Sequence, residues 1–196
     1  MTTPPTLTSA PRYTVDMFGV RDLRRCFPAA RSLARDDAER LLALGAMEEH
    51  PIGTVLFEEG APATGLHLLL EGVVEVGASL AEGDPVPLGR LAPGEVLGEM
   101  GLIENAPRSG RAVAATRVRT LALDREAYRT LAQTGDPLAC WLLDVIARGL
   151  ARRVSSMTAR VAYARLQPER AHAVLQDRLE RTRRWWEILG PRRRSG

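Results

Sequence analysis

Residues 94–113 read GEVLGEMGLIENAPRSGRAV, and this stretch decides how the rest of the chain is interpreted. Gly98 and Glu99 are followed, nine positions after the glutamate, by Arg108 and Ser109. A glycine-rich turn that opens a short helix directs free backbone N–H groups at an anion. The planar guanidinium of Arg108 can bind two phosphate oxygens at once, and Ser109 can donate a further hydrogen bond. Because Glu99 is suited to accept from a sugar hydroxyl, the stretch predicts a site for one small anionic nucleotide.

The same stretch resembles the phosphate-binding cassette of cyclic-nucleotide-binding domains, the family of the catabolite activator protein and of the regulatory subunits of cyclic-AMP-dependent kinases. The resemblance extends from about Asp36 to Leu131. Residues 53–60 are similar to the family's opening strand and turn, and residues 66–76 to the hairpin that follows. One departure is Gly110, where the family usually has alanine; glycine loosens this strand position by about 1 kcal/mol at most.

The resemblance implies a fold, a ligand and a set of contacts. The fold is α+β and mainly β: an antiparallel double-stranded β-helix or jelly roll (β-roll), with an N-terminal helix and long C-terminal helices. The ligand is a cyclic nucleotide, with cyclic AMP preferred to cyclic GMP, and no metal is expected. The residues expected to contact the ligand belong to the cassette and to a long helix, and they are Leu97, Gly98, Glu99, Met100, Arg108, Ser109, Arg153, Ser155 and Ser156.

The contacts of the base depend on how the long helix is matched to the family. Residues 150–153 fit the family's Ala-Arg-Arg stretch and place Arg153 near the ligand. A match without gaps uses residues 146–148 instead, so two positions one helical turn apart stay open. Ser155, Ser156 and Thr158 are the polar candidates for contacts with the base.

Proline, glycine and capping residues divide the chain into four parts. We expect an N-terminal segment over 1–35, the β-roll over 36–135, a long dimerisation or lid helix over 136–163, and a basic helix with its tail over 164–196. Strands are predicted from Ile52 to Leu123, because glycine and proline punctuate this region at intervals typical of antiparallel turns. Residues 81–85 are the clearest hairpin loop.

Capping residues predict the helices on both sides of the strands. Asp36 and Glu39 make a capping box for a helix that ends near Gly45. Asp124 and Asp136 are placed to cap two helices after the strands. The second of these has proline at its first position, where the missing N–H costs nothing.

The long helix carries an apolar stripe whose members recur every three or four positions: Leu138, Leu142, Ile146, Leu150, Val154, Met157 and Val161. One interpretation is a face that packs on the β-roll. The other, taken from the family, is a helix that forms a homodimer and covers the base. The stripe is longer than a compact roll needs, which favours the homodimer. Gly149 and Arg153 interrupt the heptad spacing and argue against a strong coiled coil.

The C-terminal part differs from that of the family's transcription factors. After Val161 only about 35 residues remain, too few for a winged helix-turn-helix of roughly 70 residues. Residues 165–196 contain nine arginines and four acidic residues, a net charge of +5. Three interpretations stay open: a helix that folds back on the core, a protein-docking element around Trp185 and Trp186, and a clamp on nucleic-acid phosphates.

Composition excludes several classes of protein. All 27 basic residues are arginine and the net charge is only +3, which reflects GC-rich coding better than a nucleic-acid surface. Cys26 and Cys140 lack the spacing of a disulfide framework or metal site and fit a reduced compartment. His50, His67 and His172 form no ligand pattern.

The N-terminus has no targeting signal, and the apolar runs fall short of the ~20 residues that span a bilayer, so we expect a cytoplasmic protein without a membrane partner.

These observations predict a sensor, not an enzyme, because no nucleophile–base pair, metal-ligand cluster or P-loop is visible in the sequence. The sensor would be a regulatory protein of signal transduction. Cyclic-nucleotide binding would act through the C-terminal helices on a dimer or on the surface that binds a partner protein. Two alternatives stay open. One is a transcription regulator of the catabolite activator type with a truncated or atypical DNA-binding C-terminus, and the other is a scaffold that binds no ligand.

Overall fold

The computed structural model describes residues 18–79 and 85–188. Within these residues the strands are β1 Ala46–His50, β2 Val55–Phe57, β3 Gly65–Glu71, β4 Val74–Ser79, β5 Pro85–Leu91, β6 Val96–Leu97, β7 Arg111–Ala114 and β8 Val118–Asp124. The helices are α1 Val20–Cys26, α2 Arg35–Leu44, α3 Glu99–Ile103, α4 Arg125–Gln133, α5 Pro137–Leu166 and α6 Pro168–Ile188, with a short 3₁₀ helix at Pro28–Arg31.

The strands form two four-stranded antiparallel sheets. The first, sheet A, has the order β1-β8-β3-β6, and the second, sheet B, has the order β2-β7-β4-β5. Apolar side chains of both sheets pack together between them, so the sheets enclose the interior of a β-roll. The predicted α+β, mainly β class, with an N-terminal helix and long C-terminal helices, is confirmed.

Strand β3 shows how the molecule builds two cores, because successive side chains of a strand point to opposite faces. Leu69 points into the roll and packs with side chains of sheet B. Leu68 and Leu70 point to the other face of sheet A, where α1, α2, α4 and α5 cover them. All three side chains are buried. These four helices therefore pack on the outer face of sheet A, and the first half of α5 is anchored there.

The helix caps agree with the sequence in two of three cases. Asp124 accepts a hydrogen bond from the Ala127 amide at 2.6 Å, and Asp136 accepts one from the Leu138 amide at 2.9 Å. The predicted capping box of α2 is wrong, because the N-cap is Ala34, two residues before Asp36, and no side chain caps the helix. Asp36 lies instead inside the first turn, where its charge favours the positive end of the helix dipole.

The strand prediction needs two corrections. Strand β1 precedes the expected start at Ile52; it forms the edge of sheet A, and its sequence, AMEEH, is too polar for the apolar pattern of a strand. Residues 66–76 are not a hairpin, because β3 and β4 lie in different sheets and the turn at Gly72, with φ of 84°, passes the chain between them. The predicted hairpin at 81–85 does join the paired strands β4 and β5, although residues 80–84 lie outside the described part.

Gly110 lies in a bend before β7 and not in a strand. A Cβ atom at this position would be only 2.8 Å from the carbonyl oxygen of Gly77 on β4. The glycine therefore permits a close approach of two backbone segments, which is a different role from the loosened strand that the sequence suggested.

The apolar stripe of α5 divides into two halves. Leu138, Leu142 and Ile146 are buried against the helical side of sheet A, whereas Val154 and Met157 are more than half exposed. The chain then turns at Gln167, and the backbone of α6 packs against α5 and β5, as the fold-back interpretation of the tail requires. The side chains of Trp185 and Trp186 lie outside what the structure describes. None of the helices in the described ranges is long and apolar enough to cross a membrane.

Candidate functional site

The cassette begins where β6 ends. Gly98 has a φ of 81°, a left-handed conformation that L-residues with a side chain avoid, and α3 starts at the next residue. A Cβ atom on Gly98 would lie 2.0 Å from Nη1 of Arg108. Glycine is therefore needed here for two reasons, the backbone turn and the space that the guanidinium occupies.

Arg108 is held firmly on the roll. Its side chain is only 5% exposed. Nη1 donates a hydrogen bond to the Gly98 carbonyl oxygen at 2.9 Å, and the guanidinium carbon lies 4.3 Å from the centre of the Phe57 ring. Its backbone is fixed by two hydrogen bonds of 2.9 Å, donated by its amide to Ala61 and by the Gly60 amide to its carbonyl oxygen.

The guanidinium of Arg108 has no counter-ion among the described residues, because none of their carboxylates lies within ion-pair distance of it. Its Nε–H is buried and has no hydrogen-bond acceptor in that same part of the chain. Burial lowers the pKa of Arg108, because a low-dielectric environment disfavours the charged form; the nearby negative charge of Glu99 opposes this effect. A buried cation without a partner is costly, so the pocket is suited to an anion.

Glu99 connects the cassette to α5. It is 2% exposed, and its Oε1 accepts a hydrogen bond from Nη1 of Arg153 at 2.6 Å. Nη2 of Arg153 donates to the carbonyl oxygen of Val96 at 2.5 Å. Of the two positions left open by the sequence, Arg153 is thus the one that contacts the cassette, whereas Arg148 pairs with Asp144 at 2.8 Å on an exposed face of α5.

The other residues expected to contact the ligand lie around this centre. Leu97 is buried in the core of the roll, next to the cassette. Met100 and Ser109 are exposed and touch each other through the Ser109 hydroxyl and the Met100 sulfur, 3.7 Å apart. Ser155 and Ser156 are exposed on α5 just after Arg153. Their contacts with a ligand stay predictions.

Arg125 is a residue of the site that the sequence did not reveal. Its Nη2 donates to the carbonyl oxygen of Gly101 at 2.8 Å, and Nη1 donates to the side-chain oxygen of Asn105. Asn105 has a φ of 54°, so this contact stabilises the left-handed turn that ends α3. Arg125 starts a helix remote in sequence, and no local motif could have assigned it to the cassette.

A cluster of polar side chains lies beneath Arg108, inside the roll. The ring of His67 stacks on Phe57 with centroids 6.2 Å apart, and Phe57 carries the guanidinium on its face. Nδ1 of His67 lies 3.5 Å from Oε2 of Glu48, and Nε2 of His50 lies 3.3 Å from the same oxygen. Burial lowers the pKa of His67 to about 4, so the imidazole is neutral at neutral pH. No pattern in the sequence indicated this cluster, because its residues come from two strands, β1 and β3, that are distant in the chain.

A two-sheet roll with this cassette is typical of regulatory domains that bind a small ligand. Comparison with known proteins identifies the family of the domain. The cyclic nucleotide-binding domain family matches residues 47–135. The crystal structure of the catabolite activator protein of Thermus thermophilus superposes on this chain with a TM-score of 0.57 and a sequence identity of 30%. The match covers 73% of this chain and 71% of the Thermus protein. The chain therefore belongs to the cyclic-nucleotide-binding domain family.

Two further relatives show the range of proteins that carry this domain. The CRP-like cAMP-activated global transcriptional regulator of Mycobacterium tuberculosis is 31% identical over 104 residues, which are 53% of this chain and 46% of the regulator. The acetyltransferase Pat of Mycolicibacterium smegmatis is 38% identical over 79 residues, 40% of this chain and 23% of the enzyme. The match thus spans about half of the regulator and less of the enzyme. The relatives are mainly regulatory proteins, although one acetyltransferase carries the domain.

Proposed function

We propose that this protein is a regulator that binds a cyclic nucleotide, cyclic AMP in preference to cyclic GMP, and transmits binding through α5. The observation that carries the proposal is Arg108: a guanidinium buried on the roll, positioned by Gly98 and Phe57, and without a carboxylate partner in the described ranges. A cyclic phosphate would supply the missing charge.

The remaining groups suit the rest of the ligand. Glu99 would accept a hydrogen bond from the ribose hydroxyl while keeping its contact with Arg153. Ser109 would donate to the phosphate. Ser155 and Ser156 would meet the base where α5 passes the roll. The preference for cyclic AMP is supported by the mycobacterial relative, a cAMP-activated regulator.

Transmission would start at the pair of Glu99 and Arg153, because it joins the cassette to the helix. A ligand shifts a conformational equilibrium only by the difference between its affinities for the two states. Contacts of the ligand with Glu99 and with the serines of α5 would provide that difference. No enzymatic activity is proposed, and a cytoplasmic location remains a prediction from the sequence.

The partner surface that we favour is the exposed half of α5, where two copies of the chain could associate. Its apolar side chains are more than half exposed: Val154, Met157 and Val161. Exposed apolar side chains in a row are typical of an interface, which supports the homodimer over a purely structural stripe. DNA binding by the basic tail and a scaffold that binds no ligand remain the alternatives.

Calorimetric titration tests the proposal. We expect cyclic AMP to bind with one site per chain, cyclic GMP to bind more weakly, and linear 5′-AMP to bind weakest, since it lacks the cyclic phosphate that Arg108 would hold. Equal affinity for 5′-AMP and cyclic AMP would contradict the proposed role of the cassette. No heat with any nucleotide would favour the scaffold, and a gel mobility shift at several salt concentrations would detect DNA binding by the tail.

A further inference from the structure

The polar cluster inside the roll consists of Glu48, His50 and His67, and the strand register explains why they meet. Glu48 and His50 are alternate residues of β1 and point to one face. Strand β8 lies between β1 and β3. Glu48 of β1 is opposite Thr120 of β8, and His67 of β3 is opposite Ala122 of β8. Because both residues of β8 are small, the long side chains of the two flanking strands extend over β8 and meet there.

The three side chains converge at the spacing of metal ligands. Their ligand atoms all lie within 4.8 Å of one another. Oε2 of Glu48 is the point of convergence: it lies 3.3 Å from Nε2 of His50 and 3.5 Å from Nδ1 of His67. With Zn–N and Zn–O bonds near 2.0–2.1 Å, the ligand atoms of a tetrahedral site are about 3.4 Å apart. The cluster therefore already has nearly the size of such a site.

The only neighbour that the buried Nε2 of His50 has for a polar contact, among the described residues, is the carboxylate of Glu48. Nε2 of His50 is buried, lies 3.3 Å from Oε2 of Glu48, and has no further hydrogen-bond partner in the described part of the chain. Thr120 is fully buried beside the cluster, with its hydroxyl 3.4 Å from Nδ1 of His67. A metal ion would satisfy the nitrogen of His50, and a water molecule could complete the coordination.

We propose that Glu48, His50 and His67 form a binding site for one divalent transition-metal ion, with Zn²⁺ the best chemical match, inside the roll beneath Arg108. Two imidazoles and one carboxylate are a common zinc ligand set. The side chain of Glu48 is 35% exposed, which leaves a route by which a metal ion can enter. The proposal revises the expectation that the protein binds no metal. It does not depend on nucleotide binding.

Metal binding can be measured on the full chain without a histidine tag, after treatment with a chelator and dialysis. Titration with Zn²⁺ by calorimetry, and with Co²⁺ by visible absorption, is expected to saturate at one equivalent per chain. Tetrahedral Co²⁺ should give an intense visible band. Zn²⁺ should also raise the thermal midpoint of unfolding, because it binds the folded chain.

The variants His50→Gln and His67→Gln are expected to lose the stoichiometric site, the cobalt band and the thermal shift. His172→Gln is the matched control, since His172 is exposed on α6, away from the cluster, and its ring nitrogen lies 3.4 Å from the side-chain amide of Gln176. A second control, Cys26→Ser with Cys140→Ser, removes both thiols and should bind normally.

Circular dichroism checks that the variants fold. If His67→Gln does not fold, the more peripheral His50→Gln decides the test. The proposal is overturned if the wild-type chain binds neither metal at one equivalent, or if His50→Gln binds as tightly as the wild type.

Discussion

The two arginines of the site differ in how they are held, and the difference separates a fixed half from a movable half. Arg108 belongs to the roll: it is almost fully buried and is fixed by Gly98, Phe57 and two backbone hydrogen bonds. Arg153 belongs to α5 and is more exposed, with a side chain 29% accessible. Arg108 is therefore held by contacts within the roll, whereas Arg153 joins the cassette to α5 through its polar contacts with Glu99 and Val96.

The two halves of α5 show the same contrast. The first half is buried on sheet A, and the second half, after Arg153, is exposed along its length. Arg153 lies at the boundary between them. A ligand that contacts this residue would act where the helix changes from a buried to an exposed element, and we propose that binding at this position alters a partner surface.

The largest effect is expected from Gly98→Ala, which disturbs the fixed half. The left-handed backbone costs alanine ~1–2 kcal/mol, and the new Cβ atom would displace the guanidinium of Arg108, whose Nη1 would otherwise be 2.0 Å away. We expect cyclic-AMP affinity to fall by more than about a hundredfold while the chain stays folded. Gly89→Ala is the control, because a Cβ atom there meets nothing within 4 Å. Equal affinity in the two variants would contradict the geometry of the cassette.

Arg108→Lys should have the next largest effect. Lysine keeps the positive charge but cannot donate two parallel N–H bonds to a phosphate. Loss of one charge-assisted hydrogen bond in a desolvated site costs about 1.5–3 kcal/mol, or roughly ten- to a hundredfold in affinity. Arg90→Lys, on an exposed ion pair with Glu75, is the control for the substitution itself. An unchanged dissociation constant for Arg108→Lys would remove Arg108 from the site.

Glu99→Gln should weaken binding less than Arg108→Lys, because the amide oxygen can still accept from a ribose hydroxyl. The same change removes the charge that attracts Arg153, so it sharpens the comparison between the two halves. We expect calorimetry to show a loss of affinity of a few-fold, together with weaker protection of α5 against hydrogen exchange. A larger loss than that of Arg108→Lys would show that the proposed roles are exchanged.

The smallest effect on affinity is expected from truncation after Gln167, which removes α6 and the tail. The ligand groups lie on the roll and on α5, so cyclic-AMP affinity should stay within about twofold. Of the three tryptophans, Trp141 would remain, buried against Phe27, and fluorescence would report on α5 alone. A large loss of affinity, in a chain shown to be folded, would place part of the site on α6.

The sequence predicts the features whose residues are close together in the chain, and it misses those whose residues are brought together only by the fold. Residues 94–113 contain most of the cassette in one stretch, which is why the sequence could predict that Gly98, Glu99 and Arg108 lie together. The helix caps at Asp124 and Asp136 are local as well. In contrast, the contact of Arg125 with the cassette arises from a helix that starts after β8, and no spacing in the chain encodes it.

Two other features were hidden for related reasons. Strand β1 was missed because an edge strand with polar residues lacks an apolar alternation, and with it the cluster of Glu48, His50 and His67 was missed. Whether Arg148 or Arg153 lies beside the cassette depends on the position of α5 along the roll. That position is set by buried contacts such as those of Leu142 and Ile146, which are properties of the packed structure.

Hydrogen exchange with and without saturating cyclic AMP tests the central claim most directly, because it reports on both halves in one experiment. If the ligand bridges the roll and the helix, backbone amides of residues 97–109 and of residues 150–157 should both become protected. In Arg108→Lys, at a cyclic-AMP concentration that saturates the wild type, both protections should decrease together. Protection of the cassette alone, with α5 unchanged at full occupancy, would show a static binding domain and contradict transmission through the helix.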